Sequence, residues 1–242
     1  MIVFEGVSKV LRTRFGQSRS IMASVDLRIP SNRRIAMFSS SPEDTPILIN
    51  LLAGITLPTA GRIRRFARVS FPVGYQGGFD QQLSVRHNVA HVARMYGNDV
   101  PSTVEFVREV SGLRDAFDKP FGHLPARDKN HLGWLVAYSI PFDLYLHATD
   151  VTNPGVASQF GERMLALIEA RARHAGMIVA ARSLKNARTI CDMGLVFHRG
   201  RLVLLDDIET LTFADLQTRL AAVFEDAPPN VPTLRRMFGP EV

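Results

Sequence analysis

Three short apolar runs, separated by segments with helical periodicity, are the feature that most restricts the fold of this chain. The runs are IAMF at residues 35–38, FDLYL at 142–146 and MIVA at 177–180. Each is too short for a typical helix and apolar enough to be buried inside a sheet. Between them lie helical segments such as ILINLLA, which is followed by Gly54, a helix-terminating residue. Alternating strands and helices predict an α/β fold with a mostly parallel core sheet.

The N-terminal part of the chain shows a different pattern. Within residues 1–38, the stretches MIVFEGVSKVL and SVDLRIPSNRRIAMF alternate between apolar and polar side chains, with a turn at Pro30. This alternation predicts an antiparallel β region. Residues 83–97 have the apolar period of a helix, and Arg199-Gly200 marks a hairpin between two late strands.

The chain is expected to form a single domain followed by a short tail. With 242 residues, of which 46% are hydrophobic, it can bury a substantial core. The domain is predicted to span residues 1–224 and to contain a helical subdomain at about 84–140. Residues 225–242 are rich in proline and are expected to be a loosely ordered tail.

Charge and cysteine content exclude some classes of protein and leave others open. Lys and Arg number 29 against 23 Asp and Glu, a surplus that favours anionic neighbours such as nucleic acid, acidic lipid or an acidic partner. An ordinary basic surface explains it equally well. The one cysteine, Cys191, excludes a disulfide framework, and its apolar surroundings predict a buried thiol, which suits a reducing compartment. The seven histidines show no metal-binding spacing. The apolar window at residues 131–146 is interrupted by Pro141 and Asp143, so it is not expected to span a membrane.

Three further stretches, taken in order and spacing, carry a family resemblance. They are LLAGITLPTAGRI, FPVGYQGGFDQQLSVRHNV and ICDMGLVFHRGRLV. Together they resemble the nucleotide-binding subunit of an ABC transporter, in particular the short ATPases that power capsular polysaccharide export across the bacterial inner membrane. The resemblance covers roughly residues 1–205. It implies a P-loop NTPase-like ABC ATPase domain: a mostly parallel core sheet, an N-terminal antiparallel β part and a helical subdomain.

The resemblance also shows where the phosphate-binding loop, G-x-x-x-x-G-K-[ST], should lie. It aligns with residues 39–46, SSSPEDTP. The positions for Gly, Gly, Lys and the Mg²⁺-binding hydroxyl are Ser39, Asp44, Thr45 and Pro46, and Ser41 lies between them. The lysine is therefore missing, and the proline removes an N–H donor from the helix start. Acidic side chains here repel phosphate by about 1 kcal/mol in water and several times more where desolvated. The sequence predicts no conventional ATP binding, and predicts instead that the Ser and acidic side chains cap the following helix.

The other ATPase motifs are replaced as well. The resemblance places the adenine-stacking aromatic near Leu11, the signature at residues 125–128 (PARD) and the switch histidine at Arg182. It places the Walker B aspartate near Thr149, the D-loop aspartate at Val156 and the catalytic glutamate near Asp150. Asp150 is thus a vestigial catalytic candidate, and a helix or turn cap is the simpler interpretation of it. His147, on a predicted buried strand, is interpreted as a hydrogen-bonded core histidine.

The functional hypothesis follows from what is lost and what is kept. In the family each ATP lies between the phosphate loop of one subunit and the signature of the other, and this chain lacks both. The helical region that grips the permease in such subunits is the most family-like part, with Phe79, Leu83, Arg86 and Asn88 as candidate docking residues. We therefore expect a pseudo-ATPase that docks on the integral-membrane permease of a polysaccharide exporter, or on its ATPase, as adapter or regulator. It would be cytoplasmic, peripheral at the inner face of the cell membrane, and paired with an intact ATPase paralogue or with itself.

Two alternatives remain. The first is an ATP-binding protein that powers capsular polysaccharide export with weak, unconventional nucleotide binding, and only then would ATP and Mg²⁺ be cofactors. The second is a nucleic-acid or anionic-lipid binding module built on the run Arg62, Arg64, Arg65 and Arg68. On a strand, Arg62 and Arg64 share a face and Arg65 points the other way. A solvated strand face is the favoured explanation of this run, and no nucleic acid is expected.

Overall fold

The computed structural model describes residues 1–12, 16–75, 77–148, 159–224 and 228–239. Within this part the chain forms nine strands and eight α-helices. In chain order they are β1 (Ile2–Arg12), β2 (Ser18–Ile29), β3 (Arg34–Ser39), α1 (Thr45–Ala53), β4 (Ala60–Arg65), β5 (Val69–Pro72), α2 (Val85–Met95), α3 (Val100–Ser111), α4 (Ala126–Ser139), β6 (Leu144–His147), α5 (Gln159–Ala172), β7 (Gly176–Ala180), α6 (Leu184–Ala187), β8 (Met193–His198), β9 (Arg201–Leu205), α7 (Phe213–Val223) and α8 (Val231–Phe238).

The larger sheet contains the three short apolar runs and confirms the predicted parallel core. Its strand order is β5-β6-β7-β3-β8-β9. The pairs β6–β7, β7–β3 and β3–β8 are parallel, and β8–β9 is the predicted antiparallel hairpin. Ile35 at the centre of the sheet is fully buried and pairs with Ile178 on one side and Met193 on the other. Strands buried on both faces need the continuous apolar sequences seen here.

The smaller sheet is antiparallel, with strand order β2-β1-β4. The predicted antiparallel region at residues 1–38 was therefore too long, because β3 belongs to the parallel sheet. The physical reason is burial: Ile35 to Phe38 are all at most 1% exposed, which only an interior strand permits. The antiparallel sheet instead recruits β4, whose Arg65 pairs with Ile2 of β1.

The chain divides into two compact units. Unit 1 comprises Met1–Val69, Asp143–Thr152 and Ala175–Val242, and unit 2 comprises Ser70–Phe142 and Asn153–His174. The division falls within β5. The helical subdomain expected at about 84–140 therefore begins earlier and includes α5, because α5 packs on α4 and α3.

The C-terminal tail differs from the expectation of a loosely ordered segment. Residues 231–238 form α8, in which Leu234, Met237 and Phe238 are at most 1% exposed. Their spacing of three and four residues gives the helix one apolar face. Its proline lies in the first turn, where a missing N–H costs nothing, so the proline content that suggested disorder fits a helix start.

Two smaller expectations are confirmed. Helix α1 ends at Gly54, which has a left-handed conformation with φ of 81°. Cys191 is a free thiol that is only 3% exposed. In the described part of the chain, no helix is both long enough and apolar enough to cross a membrane.

Candidate functional site

Residues 39–46 connect the end of β3 to the start of α1. Ser39 is the last residue of β3, Pro42–Asp44 form one turn of 3₁₀ helix, and Thr45 opens α1. The parallel strands β3, β6 and β7 all end at the same edge of the sheet. In open α/β sheets this carboxyl edge is where ligands bind, so the sequence-predicted loop lies where a site is expected.

A cavity of about 720 Å³ opens at this edge, which is within the size range of ligand pockets. Its described lining residues are Met37, Ser39, Pro42, Thr45, Pro46, Ala148, Ala180, Ala181, Arg182, Arg236 and Met237. Arg182 and Arg236 are the charged residues among them, and none of these lining residues is acidic. The cavity wall is therefore mostly apolar with two cationic side chains. Arg182, predicted at the switch-histidine position, does reach the site.

The loop is held by hydrogen bonds from within the protein. The Ser39 hydroxyl donates to the Ser41 carbonyl at 2.8 Å and accepts from the Ser41 amide at 3.1 Å. The Ser40 amide donates to the Phe197 carbonyl of β8 at 3.0 Å, and the Asp44 amide donates to the Ser41 carbonyl at 2.9 Å. These bonds use loop groups that a phosphate-binding loop would keep for its ligand.

Asp44 does not cap α1, which corrects the sequence-based expectation. Neither Ser41 nor Asp44 makes a side-chain capping bond to the helix that follows it. Asp44 already has helical backbone angles, φ −90° and ψ −14°, because the 3₁₀ turn runs directly into α1, whereas a capping residue is extended. Asp44 is only 6% exposed, and its carboxylate, which does not cap the helix, can bind another side chain.

That partner is Arg19 of β2. The Arg19 guanidinium forms a two-pronged ion pair with Asp44, in which Nη1 lies 3.1 Å from Oδ2 and Nη2 binds Oδ1. Bidentate pairs of this kind are the stronger, geometrically specific ones. A second cavity, of about 480 Å³, is bordered by this pair and by Arg199 and Arg201 of the β8–β9 hairpin. At the helix start, the position that the resemblance gives to phosphate is thus faced by an internal carboxylate–guanidinium pair.

The other catalytic positions give a mixed result. Asp150, Thr149 and Val156 lie outside the described residues. Leu11, which the resemblance aligns with the adenine-stacking aromatic, lies on β1 opposite Arg19. Residues 125–128 form the start of α4, and Pro125 makes no side-chain cap there.

His147, the last residue of β6, is 1% exposed, and burial lowers its pKa to about 3. It is therefore neutral at physiological pH, in agreement with its interpretation as a core histidine.

The structure separates the four predicted docking residues into two kinds. Phe79 is 7% exposed and packs edge-on against Phe121, with ring centroids 5.0 Å apart. Asn88 is 1% exposed, and its amide donates to the carbonyls of Asp80, Leu83 and Ser84 and accepts from the Asp80 amide at 2.8 Å. Both side chains hold unit 2 together. Their burial corrects the prediction that they contact a partner directly.

Leu83 and Arg86 are the two docking candidates that reach the surface. Leu83 is 44% exposed, just before α2. Arg86 binds Asp118 through Nε at 2.6 Å and Nη2 at 3.2 Å, and its guanidinium carbon lies 5.4 Å from the centre of the Phe117 ring. The hydrogen bonds from Arg86 lower the pKa of the Asp118 carboxyl. Met95 at the end of α2 is 65% exposed. It falls within the helical period of residues 83–97, which does not show that its side chain is exposed.

The basic run in β4 is largely engaged within unit 1. Arg62 and Arg64 both pair with Glu5 of β1, which confirms that they share one face. Arg65 points the other way and donates from Nε to the Leu52 carbonyl at the end of α1 at 2.7 Å. Its cation thereby caps the negative end of the helix. These contacts give Arg62, Arg64 and Arg65 structural partners within unit 1, and they support the interpretation of the run as a solvated strand face.

Similarity to solved structures identifies the fold. The chain matches the ATP-binding subunit of an ABC transporter with a TM-score of 0.67 at 13% identity, over 94% of this chain and 95% of that one. It matches the dimeric post-hydrolysis state of the ATP-binding cassette MJ0796 bound to ADP and Pi with a TM-score of 0.66 at 13% identity, over 87% of this chain and 100% of that one. The fold is that of an ABC ATPase.

Sequence comparison confirms the resemblance to capsule exporters. The chain is 29% identical over 205 residues to the polysialic acid transport ATP-binding protein KpsT of Escherichia coli, covering 84% of this chain and 90% of that protein. It is 24% identical over 209 residues to the capsule polysaccharide export ATP-binding protein CtrD of Neisseria meningitidis serogroup B, covering 86% and 95%. The same figures apply to the ATP-binding protein BexA of Haemophilus influenzae. No protein-family model matches the chain.

Proposed function

We propose that the chain is a pseudo-ATPase subunit of a polysaccharide export system, which docks on the membrane permease, or on its ATPase, as adapter or regulator. The relatives are named as ATP-binding proteins of polysialic acid transport and capsule polysaccharide export. That assignment supports the export system as the context for this chain. The ABC ATPase fold supports a role beside a permease, at the inner face of the membrane.

The observation that carries the pseudo-ATPase proposal is the Asp44–Arg19 pair at the start of α1. A phosphate-binding loop presents backbone amides and a lysine to its ligand. Here the corresponding stretch has Thr45 and Pro46 at the helix start and a buried carboxylate held by a guanidinium. A triphosphate that displaced Arg19 would leave the buried Asp44 carboxylate without its cation, which costs free energy. These internal contacts support the proposal that the loop keeps its conformation without a bound nucleotide.

The exposed side chains on unit 2 support the docking half of the proposal. Leu83 and Met95, at the two ends of α2, are large, apolar and exposed. Arg86, on the same helix, adds a cation. Met and Arg are among the residue types that are enriched at the core of protein interfaces.

Co-purification of the chain with its cognate permease tests this proposal. Leu83→Asp should weaken the association at least about 10-fold, since it places a charge in the contact. Leu57→Asp is the matched control, because Leu57 is 75% exposed on unit 1, outside the proposed surface. Retained association in Leu83→Asp and Met95→Asp would remove the docking role.

Charge reversal at Arg86 separates contact from structure. Arg86→Glu breaks the pair with Asp118, and the double variant Arg86→Glu/Asp118→Arg restores it with reversed polarity. If Arg86 touches the partner, association is lost in both variants. Rescue by the double variant would show that the residue only stabilises unit 2.

The cavity favours one second candidate function, which is weak, unconventional nucleotide binding. Arg182 and Arg236 bring positive charge to a cavity of about 720 Å³ without an acidic residue among its described lining. Arginine suits phosphate recognition because its planar fork matches phosphate oxygens. If the chain binds Mg-ATP, Arg182→Ala should weaken that binding. Unchanged binding in Arg182→Ala would exclude this cavity as the site.

A further inference from the structure

Helix α8 packs on the same sheet edge as residues 39–46, and neither docking nor loss of ATPase chemistry explains it. Asn230 caps its first turn by accepting a hydrogen bond from the Thr233 amide at 3.0 Å. Leu234, Met237 and Phe238 are buried, whereas Arg235 and Arg236 of the same helix are exposed. The helix is therefore well formed, with one apolar face committed to unit 1.

Two side chains of α8 contact the loop and the strand that leads into it. Arg236 donates from Nη2 to the Ser40 carbonyl at 2.8 Å. The Phe238 ring packs on the Phe38 ring of β3, with centroids 4.5 Å apart and planes inclined by 40°. Met237, between them, lines the cavity. The helix thus packs on the end of β3, and its Arg236 side chain hydrogen-bonds the Ser40 carbonyl beside the cavity.

The end of α8 also reaches the segment that follows β7. A Cβ atom at Gly239 would lie 3.4 Å from the Ser183 hydroxyl, and the φ of Gly239 is +92°, which favours glycine. Ser183 directly follows Arg182, another lining residue of the cavity. One short helix therefore contacts the segments after both β3 and β7, the two strands whose ends border the cavity.

We propose that α8 is a reversible cap on the cavity at the carboxyl edge of the sheet. Among the described residues, α8 contacts this edge through the hydrogen bond from Arg236 to the loop and through the apolar face of Leu234, Met237 and Phe238, whereas β3 is hydrogen-bonded on both sides by β7 and β8. Elements with few buried contacts open locally at lower free energy than the core. Opening exposes Phe38, the Ser40 carbonyl and the cavity to a ligand or a partner. This proposal is independent of the docking surface on unit 2.

Hydrogen exchange on the full chain tests whether the cap opens. The amides of residues 234–238 should exchange at least about 100-fold faster than those of β3, while circular dichroism shows an intact fold. The thiol introduced by Ser40→Cys should react with a maleimide at the rate set by the same opening. The parent chain gives the background, because Cys191 is 3% exposed. Exchange of α8 only together with β3 would show that the helix is a fixed part of the core, and would overturn the proposal.

Point variants on α8, made in the Ser40→Cys background, make the test specific. Phe238→Ala should increase both the exchange of α8 and the labelling of the introduced thiol by about 10-fold, since both depend on one opening step. Arg236→Ala should act in the same direction and, because its side chain is exposed, is expected to fold. Arg235→Ala, the exposed neighbour, is the matched control and should change neither rate. Faster exchange of α8 in Phe238→Ala or Arg236→Ala without faster labelling of the introduced thiol would show that the helix does not cover the loop.

Discussion

At the scale of single residues, the ion pair between Arg19 and Asp44 is the contact that distinguishes the loop at residues 39–46. The sequence alone does not indicate that these two residues pair. Twenty-five positions separate them along the chain, and the tertiary fold brings their side chains together. The sequence shows that Asp44 is an acid in the stretch that the resemblance aligns with the phosphate-binding loop. It could not show that a guanidinium neutralises this acid, because that contact depends on the tertiary fold.

Removing Arg19 should destabilise unit 1. Arg19→Ala leaves the Asp44 carboxylate, whose side chain is 8% exposed, without its cation, and we expect a loss of about 2 kcal/mol in the free energy of unfolding. The double variant Arg19→Ala/Asp44→Ala should lose less than the sum of the single variants. Urea denaturation measures both. Arg28→Ala, at an exposed position on the same strand, should change the free energy of unfolding by less than about 0.5 kcal/mol. Full additivity of Arg19→Ala and Asp44→Ala would show that the pair contributes nothing.

His147 should make stability depend on pH in mildly acidic solution. Its pKa is about 3 in the folded chain against an ordinary value of 6.5, so only the unfolded chain takes up this proton between those values. Stability from this group is complete above pH 6.5 and falls as pH decreases, by up to about 1.4 kcal/mol per unit. His147→Leu should flatten the slope of unfolding free energy between about pH 5 and 6.5. An unchanged slope would contradict the lowered pKa.

At the scale of secondary structure elements, apolar periodicity predicted the main strands and helices, and local chemistry explains where it failed. Continuous apolar runs gave β3, β6 and β7, and Gly54 gave the end of α1. The tail was misjudged because proline content outweighed the three- and four-residue spacing that forms the apolar face of α8. The family likeness predicts docking at Phe79 and Asn88 because it does not distinguish a buried structural side chain from an exposed one.

Asn88 should therefore be essential for the structure of unit 2 and not for contact with a partner. Its amide donates to the carbonyls of Asp80, Leu83 and Ser84, which all precede α2. Asn88→Ala removes these bonds and should cost about 2 kcal/mol in unfolding free energy. His91→Ala, at an exposed position on the same helix, should have little effect. Thermal or urea unfolding distinguishes them. A stable Asn88→Ala variant that fails to associate with the permease would instead restore its docking role.

At the scale of the whole molecule, the chain has an ABC ATPase fold. The packing of the two sheets and of the helices follows the apolar pattern, which the chain retains across 242 residues. The loop at residues 39–46 is held by serine hydroxyls, by Arg19 and by Arg236. Periodicity predicts the alternation of strands and helices, and the family resemblance implies the ABC-type arrangement. The contacts of Arg19 and Arg236 with the loop were not predictable, since they join residues far apart in the sequence.

Calorimetric titration of Mg-ATP into the purified full chain tests the central claim most directly. The same titration into Phe238→Ala separates missing loop chemistry from covering by α8. The account predicts no saturable heat in either protein at up to about 1 mM nucleotide, the range in which weak binding would be detected. A saturable isotherm with a micromolar dissociation constant in the parent chain would contradict it, and would mean that other groups replace the missing lysine.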